Sequence, residues 1–159
     1  MKRLILVFLT LTLTIISACA DDFQDGWDAS KRGDYKTAFD KWKPLAEKGN
    51  DSAQNSLGVM YYKGYGVKKS FKAAAKWYRK AAEQGYASAQ YNLGLMYEKG
   101  EGVERDDVEA VKWYRKAAEQ GFAEAQNNLG LMYKKGKGVA KDDAEAVKLH
   151  HIAALQGLA

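Results

Sequence analysis

The stretch Ala53-Gln54-Asn55-Ser56-Leu57-Gly58-Val59-Met60-Tyr61-Tyr62-Lys63-Gly64-Tyr65-Gly66-Val67 decides how the chain is read, because its frame occurs three times. Ala89-Gln90, Leu93-Gly94, Tyr97, Gly100, Gly102 and Val103 repeat it 36 residues later. Ala125-Gln126, Leu129-Gly130, Tyr133, Gly136, Gly138 and Val139 repeat it after a further 36. A second half keeps the same step: Ala74-x-x-Trp77-Tyr78-x-x-Ala81-Ala82-x-x-Gly85 maps onto Ala110-x-x-Trp113-Tyr114-x-x-Ala117-Ala118-x-x-Gly121. The third copy retains Ala146, Ala153, Ala154 and Gly157 but carries Leu149 and His150 in place of the Trp-Tyr pair. Self-similarity at such a period marks stacked supersecondary units, each unable to bury its apolar face alone.

Both halves have helical spacing. Ala53, Leu57 and Tyr61 stand at i, i+4 and i+8, and Ala74, Trp77, Tyr78, Ala81 and Ala82 fill the i, i+3, i+4, i+7, i+8 stripe. Asp106-x-x-Glu109 and Asp142-x-x-Glu145 have capping-box spacing, and Gly85, Gly121 and Gly157 stand where a helix C′ glycine belongs. Gly58, Gly94 and Gly130 fall in mid-helix, at a cost of about 1 kcal/mol each against alanine. Close helix packing, with an aromatic ring over the missing side chain, is the compensation they predict.

The frame A-Q-x-x-L-G-x-x-Y-x-x-G-x-G-V followed by A-x-x-W-Y-x-K-A-A-x-x-G resembles the Sel1-like repeats (SLRs), relatives of the tetratricopeptide repeat, over residues 50–157. The resemblance implies an all-α fold, a right-handed α/α superhelix (solenoid) of stacked antiparallel helix pairs, serving as a protein-binding scaffold. Residues 50–85, 86–121 and 122–159 are the three repeats. Residues 21–49 read as a divergent, tetratricopeptide-like first pair, since Ala38, Ala46 and Gly49 lie 36 before Ala74, Ala82 and Gly85. Its turn, Lys31 to Tyr35, is shorter, and Pro44 predicts a kink or break near Asp40 to Lys43.

Residues 1–20 read as a leader outside this array. Met1-Lys2-Arg3 is a basic start, Leu4 to Ile16 is apolar apart from threonines, and small residues follow. Two processing readings stand open. Ala18-Cys19-Ala20 releases a soluble protein at Asp21, whereas Ile16-Ser17-Ala18-Cys19 resembles a bacterial lipobox that lipidates Cys19. The expected location is periplasmic or secreted, or the outer membrane if Cys19 is acylated. Losing Lys2 and Arg3 lowers the formal charge from +5 to about +3, and basic residues alternate with acidic ones, which disfavours nucleic acid.

No nucleophile, metal or dinucleotide motif is present, so no catalytic residue, metal site or cofactor is expected. The repeated Trp, Tyr and Met residues read as packing. His150 and His151, about 100° apart on a helix, read as surface histidines of the last one. In the related tetratricopeptide repeats the first helix of each pair lines a concave groove. By that resemblance a protein or peptide partner is expected at Asn55, Ser56, Val59, Tyr62 and Lys63. Tyr91, Asn92, Leu95, Glu98 and Lys99 follow in the second copy, then Asn127, Asn128, Leu131, Lys134 and Lys135 in the third. Asparagines with lysines suit an extended peptide, because amides satisfy backbone groups and lysine supplies charge. Ile152 and Leu155, where the middle copy has Lys116 and Glu119, suggest a last helix covered by a second copy (self-association) or by a partner, or else folded back at these residues onto the preceding helix. The resemblance also admits a cell-wall or β-lactam-interacting enzyme of the cysteine-rich SLR type, which the single cysteine argues against. A secreted effector directed at host proteins is the other alternative.

Overall fold

The computed structural model describes residues 22–157; the expected leader, with Cys19, lies outside the described residues. Among them are eight α-helices and no strand. They are α1 (22–31), α2 (Tyr35–Glu47), α3 (Asp51–Lys63), α4 (Phe71–Glu83), α5 (Ala87–Lys99), α6 (Asp107–Glu119), α7 (Ala123–Lys135) and α8 (Asp143–Leu155). From α2 onward each helix packs on its chain neighbours, giving the right-handed solenoid of antiparallel pairs that the repeat predicts. Helices α2 to α8 all have 13 residues, so the connections alone fix the period.

Capping sets the helix starts. Asp34, Asn50, Ser70, Asp106 and Asp142 each accept a backbone N–H of the following first turn. The backbone N–H groups of Ser70, Asp106 and Asp142 donate to Tyr61, Tyr97 and Tyr133 in the helix before, which closes the long turn onto a carbonyl near the end of that helix. At the short connections, Tyr86 and Phe122 N–H reach Ala81 and Ala117, with Gly85 and Gly121 donating one turn in: the Schellman pattern. Gly85 takes φ +97°, a conformation that only glycine adopts without strain.

Two kinds of seam hold the stack. Within each pair the mid-helix glycine lies under a ring. A Cβ on Gly58 would meet the Tyr78 ring, and one on Gly94 the Tyr114 ring. Gly130 lies under His150, which corrects the expectation of two surface histidines: His151 is exposed, but His150 is half-buried with Nδ1 2.8 Å from Asn127 Oδ1. In α1 and α2, Gly26 lies under Trp42, whose Nε1–H donates to Phe23 O. Between pairs the seam is apolar, with Leu57, Leu93 and Leu129 buried in successive clusters and Met60, Met96 and Met132 beside them. Full burial of each such side chain contributes about 1.5–3 kcal/mol.

Gln54, Gln90 and Gln126 are the buried polar side chains of the described residues. Each Nε2 donates to the carbonyl eight residues earlier, at Ala46, Ala82 and Ala118. Each Oε1 accepts from Gln84, Gln120 or Gln156, 30 residues later. This ladder ties every apolar seam to one register, because a slipped helix leaves buried amides unpaired.

One local expectation fails. Helix α2 runs unbroken through Pro44. Pro44 and Asp40 lie on the exposed side, so the carbonyl that loses its donor faces water. Buried Trp42, Leu45 and Ala46 hold the helix on both sides of the proline.

Candidate functional site

The first helices of the repeats carry the expected binding positions on their half-buried and exposed edges, because their fully buried positions are committed to Ala, Gln, Leu, Gly and Met. Five of those positions meet. Val59, Tyr62 and Lys63 from α3 and Asn92 and Leu95 from α5 line one hollow of about 280 Å³, with Tyr78 at its base. Asn92 Nδ2 donates to Asn55 Oδ1 at 3.3 Å, so the two amides form a rung across the repeats. A second hollow, of about 180 Å³, adjoins through Val59 and is lined by Asn55, Ser56, Trp27, Tyr35 and Tyr65.

Trp27 and Tyr65, 45% and 40% exposed, have no place in the repeat-based expectation. Tyr65 stacks on Tyr35 at 4.4 Å, and Lys31 Nζ lies 5.3 Å from the Trp27 ring centroid. The signal was present in the sequence: Tyr65 occupies the turn position that the other copies give to Glu101 and Lys137. Those turn residues reach back one unit. Tyr62 Oη donates to Glu101 at 2.8 Å, and Lys137 Nζ lies 3.4 Å from Glu98, which also accepts from Tyr114 Oη at 2.7 Å. Glu98, expected as a groove carboxylate, is therefore occupied.

The remaining positions are dispersed. Tyr91 packs against Tyr114 and Phe122, at 5.9 and 5.3 Å between centroids, with Asn128 beside its hydroxyl. Asn127 faces His150. Lys99, Leu131, Lys134 and Lys135 stand exposed on α5 and α7, and these three lysines make no ion pair among the described residues. Ile152 is half-buried and Leu155 is 76% exposed.

The tyrosines over the mid-helix glycines are held neutral. Burial pushes the Tyr78 hydroxyl well above its usual range, and burial followed by the Glu98 carboxylate does the same for Tyr114. Tyr62 moves the same way through burial and Glu101. Among the described residues no group of three His, Cys, Asp or Glu is placed to hold a metal, and no helix is long and apolar enough to cross a membrane. What the surface offers is an amide pair, aromatic walls and exposed lysines, the chemistry of binding a polypeptide.

Residues 51–86, 87–122 and 123–158 each match the Sel1 repeat family. Among solved structures, a Sel1 repeat protein from Oxalobacter formigenes is 44% identical over 85% of this chain and 56% of its own length, with a TM-score of 0.81. A protective antigen present in uropathogenic Escherichia coli strains, displaying an SLR fold, is 37% identical over 93% of this chain and 33% of its own, with a TM-score of 0.84. Helicobacter pylori cysteine rich protein B shares the fold at 24% identity and a TM-score of 0.62, over 77% of this chain and 90% of that one. The chain thus spans about half and one third of the first two proteins. No curated protein matches it.

Proposed function

The chain belongs to the Sel1 repeat family of helical protein-interaction scaffolds, typically non-catalytic, and from that premise we propose that it is an exported adaptor that holds an extended peptide segment of a partner along its first helices. The observation that carries this reading is the convergence of Val59, Tyr62, Lys63, Asn92 and Leu95 on one hollow that adjoins the Trp27–Tyr65 hollow through Val59. Two adjacent hollows accept side chains of an extended segment, while Asn55 and Asn92 have amide valences left for its backbone. Lys63 and Lys99 favour a segment with a carboxylate. Export rests on the basic start, the apolar run and the small residues before Asp21.

The test is a random 12-residue peptide display library panned on the purified protein. Selected peptides are expected to lose at least tenfold in affinity on Asn92→Ala with Lys99→Ala, and again on Trp27→Ala, with far-ultraviolet circular dichroism unchanged. Peptides that bind these variants as well as the parent remove the groove from the proposal. The mass of the mature N-terminus, beginning at Asp21 or at an acylated Cys19, tests the export half.

A further inference from the structure

The second helices carry a feature outside this groove. In α6, Trp113 is 7% exposed and packs in the cluster of Ala81, Ala82, Ala89, Leu93 and Met96 from α4 and α5. Lys116 Nζ lies 4.5 Å and Lys112 Nζ 6.0 Å from its ring centroid, while its buried Nε1–H has no partner. The indole is thus held by shape and by cations at its face, without a directional polar contact. One repeat later the same floor is built from Ala117, Ala118, Ala125, Leu129 and Met132, but the side chain laid on it is Leu149.

A leucine does not fill a space shaped for an indole. A hollow of about 220 Å³ lies there, lined by Ala118, Leu129 and Leu149, with Tyr133 and Ile152 at its sides. Arg115 and Lys148 stand at the rim beside Glu119 and Glu145; Arg115 donates to Tyr133 Oη at 3.0 Å, and Lys148 lies 3.1 Å from Glu145.

We propose that this hollow is a socket for a tryptophan side chain of a partner polypeptide. Its volume is below the roughly 300 Å³ at which pockets begin to take whole small molecules, which suits one inserted side chain. Its apolar floor repeats the surface that already receives an indole in the middle unit, and Lys148 stands one repeat after Lys112, one of the two cations at the face of that indole. Buried tryptophan anchors are also the residues on which interface affinity concentrates. The socket shares no residue with the peptide groove, so it stands or falls separately from that reading.

N-acetyl-tryptophanamide, which presents the indole with neutral amides as a chain does, is the probe. In methyl-labelled protein, it is expected at millimolar concentration to shift the Leu129, Leu149 and Ile152 methyl resonances. Leu149→Trp is expected to abolish those shifts and raise Tm by about 2–5 °C, by filling the hollow from within. Ile152→Lys restores the cation that Lys116 supplies in α6 and is expected to tighten the probe about threefold. Absence of methyl shifts overturns the socket. A lowered Tm in Leu149→Trp, or weaker binding in Ile152→Lys, does the same. Tighter binding of free zwitterionic tryptophan overturns the assignment to a partner chain.

Discussion

Helices α5–α6 and α7–α8 share one backbone plan and differ in what fills it. The middle pair closes its inner seam with Tyr114, fully buried over Gly94, and its outer seam with Trp113. The last pair puts half-buried His150 over Gly130 and Leu149 against the outer seam. Both keep the glutamine rung and the aspartate cap. The difference shows that backbone geometry in this array is set by glycines, caps and the ladder, which are short-range and directional. The large side chains set how tightly each seam is sealed, and they vary without changing the course of the chain.

The comparison is broken most directly by emptying both outer seams. Trp113→Ala is expected to cost about 3–5 kcal/mol and Leu149→Ala only about 2 kcal/mol in urea melts, because the second hollow is already partly open. Equal losses would mean that the two seams are equally sealed. The inner seams separate less. In Gly94→Ala the new Cβ lies 2.7 Å from a Tyr114 ring carbon, and overpacking outweighs the gain in helix propensity by about 1–2 kcal/mol. In Gly130→Ala the nearest atom is 3.0 Å away, at the end of a half-exposed imidazole, and the net change is expected to lie within about 1 kcal/mol of zero.

The smallest effect concerns alkaline pH. Tyr114 and Tyr78 titrate above their unfolded value of 10.0 because burial disfavours the phenolate. Their contribution is therefore complete below about pH 10 and declines as pH rises beyond it, since the unfolded chain gives up its protons first. Stability measured between pH 8 and 11 is expected to fall less steeply in Tyr114→Phe than in the parent. Identical slopes for the two proteins would place the alkaline transition elsewhere.

Much of this was legible in the chain. The mid-helix glycines predicted a ring above them, and Gly58 and Gly94 have one in Tyr78 and Tyr114. The capping aspartates do accept the expected N–H groups. Gln54, Gln90 and Gln126 were visible as repeated residues, but a buried amide bridging positions 8 and 30 residues away has no local signature. His150 was misplaced for the opposite reason: its type suggests a surface, whereas its register puts it in the tyrosine slot. The hollows were not legible as surfaces. Tyr91 and Asn127 turn to neighbours, while Trp27 and Tyr65, which break the period, line the hollow beside Val59.

The sequence by itself determined the period, the helix ends and the stacking order. Those depend on spacing, caps and glycine φ, all of which act within a few residues. The tertiary structure decided which valences remain open. Asn92 meets Asn55, Glu98 is taken by Tyr114 and Lys137, and Leu149 leaves its socket unfilled. Each of those outcomes depends on side chains 16 or more residues apart in sequence and in contact only once the helices are stacked.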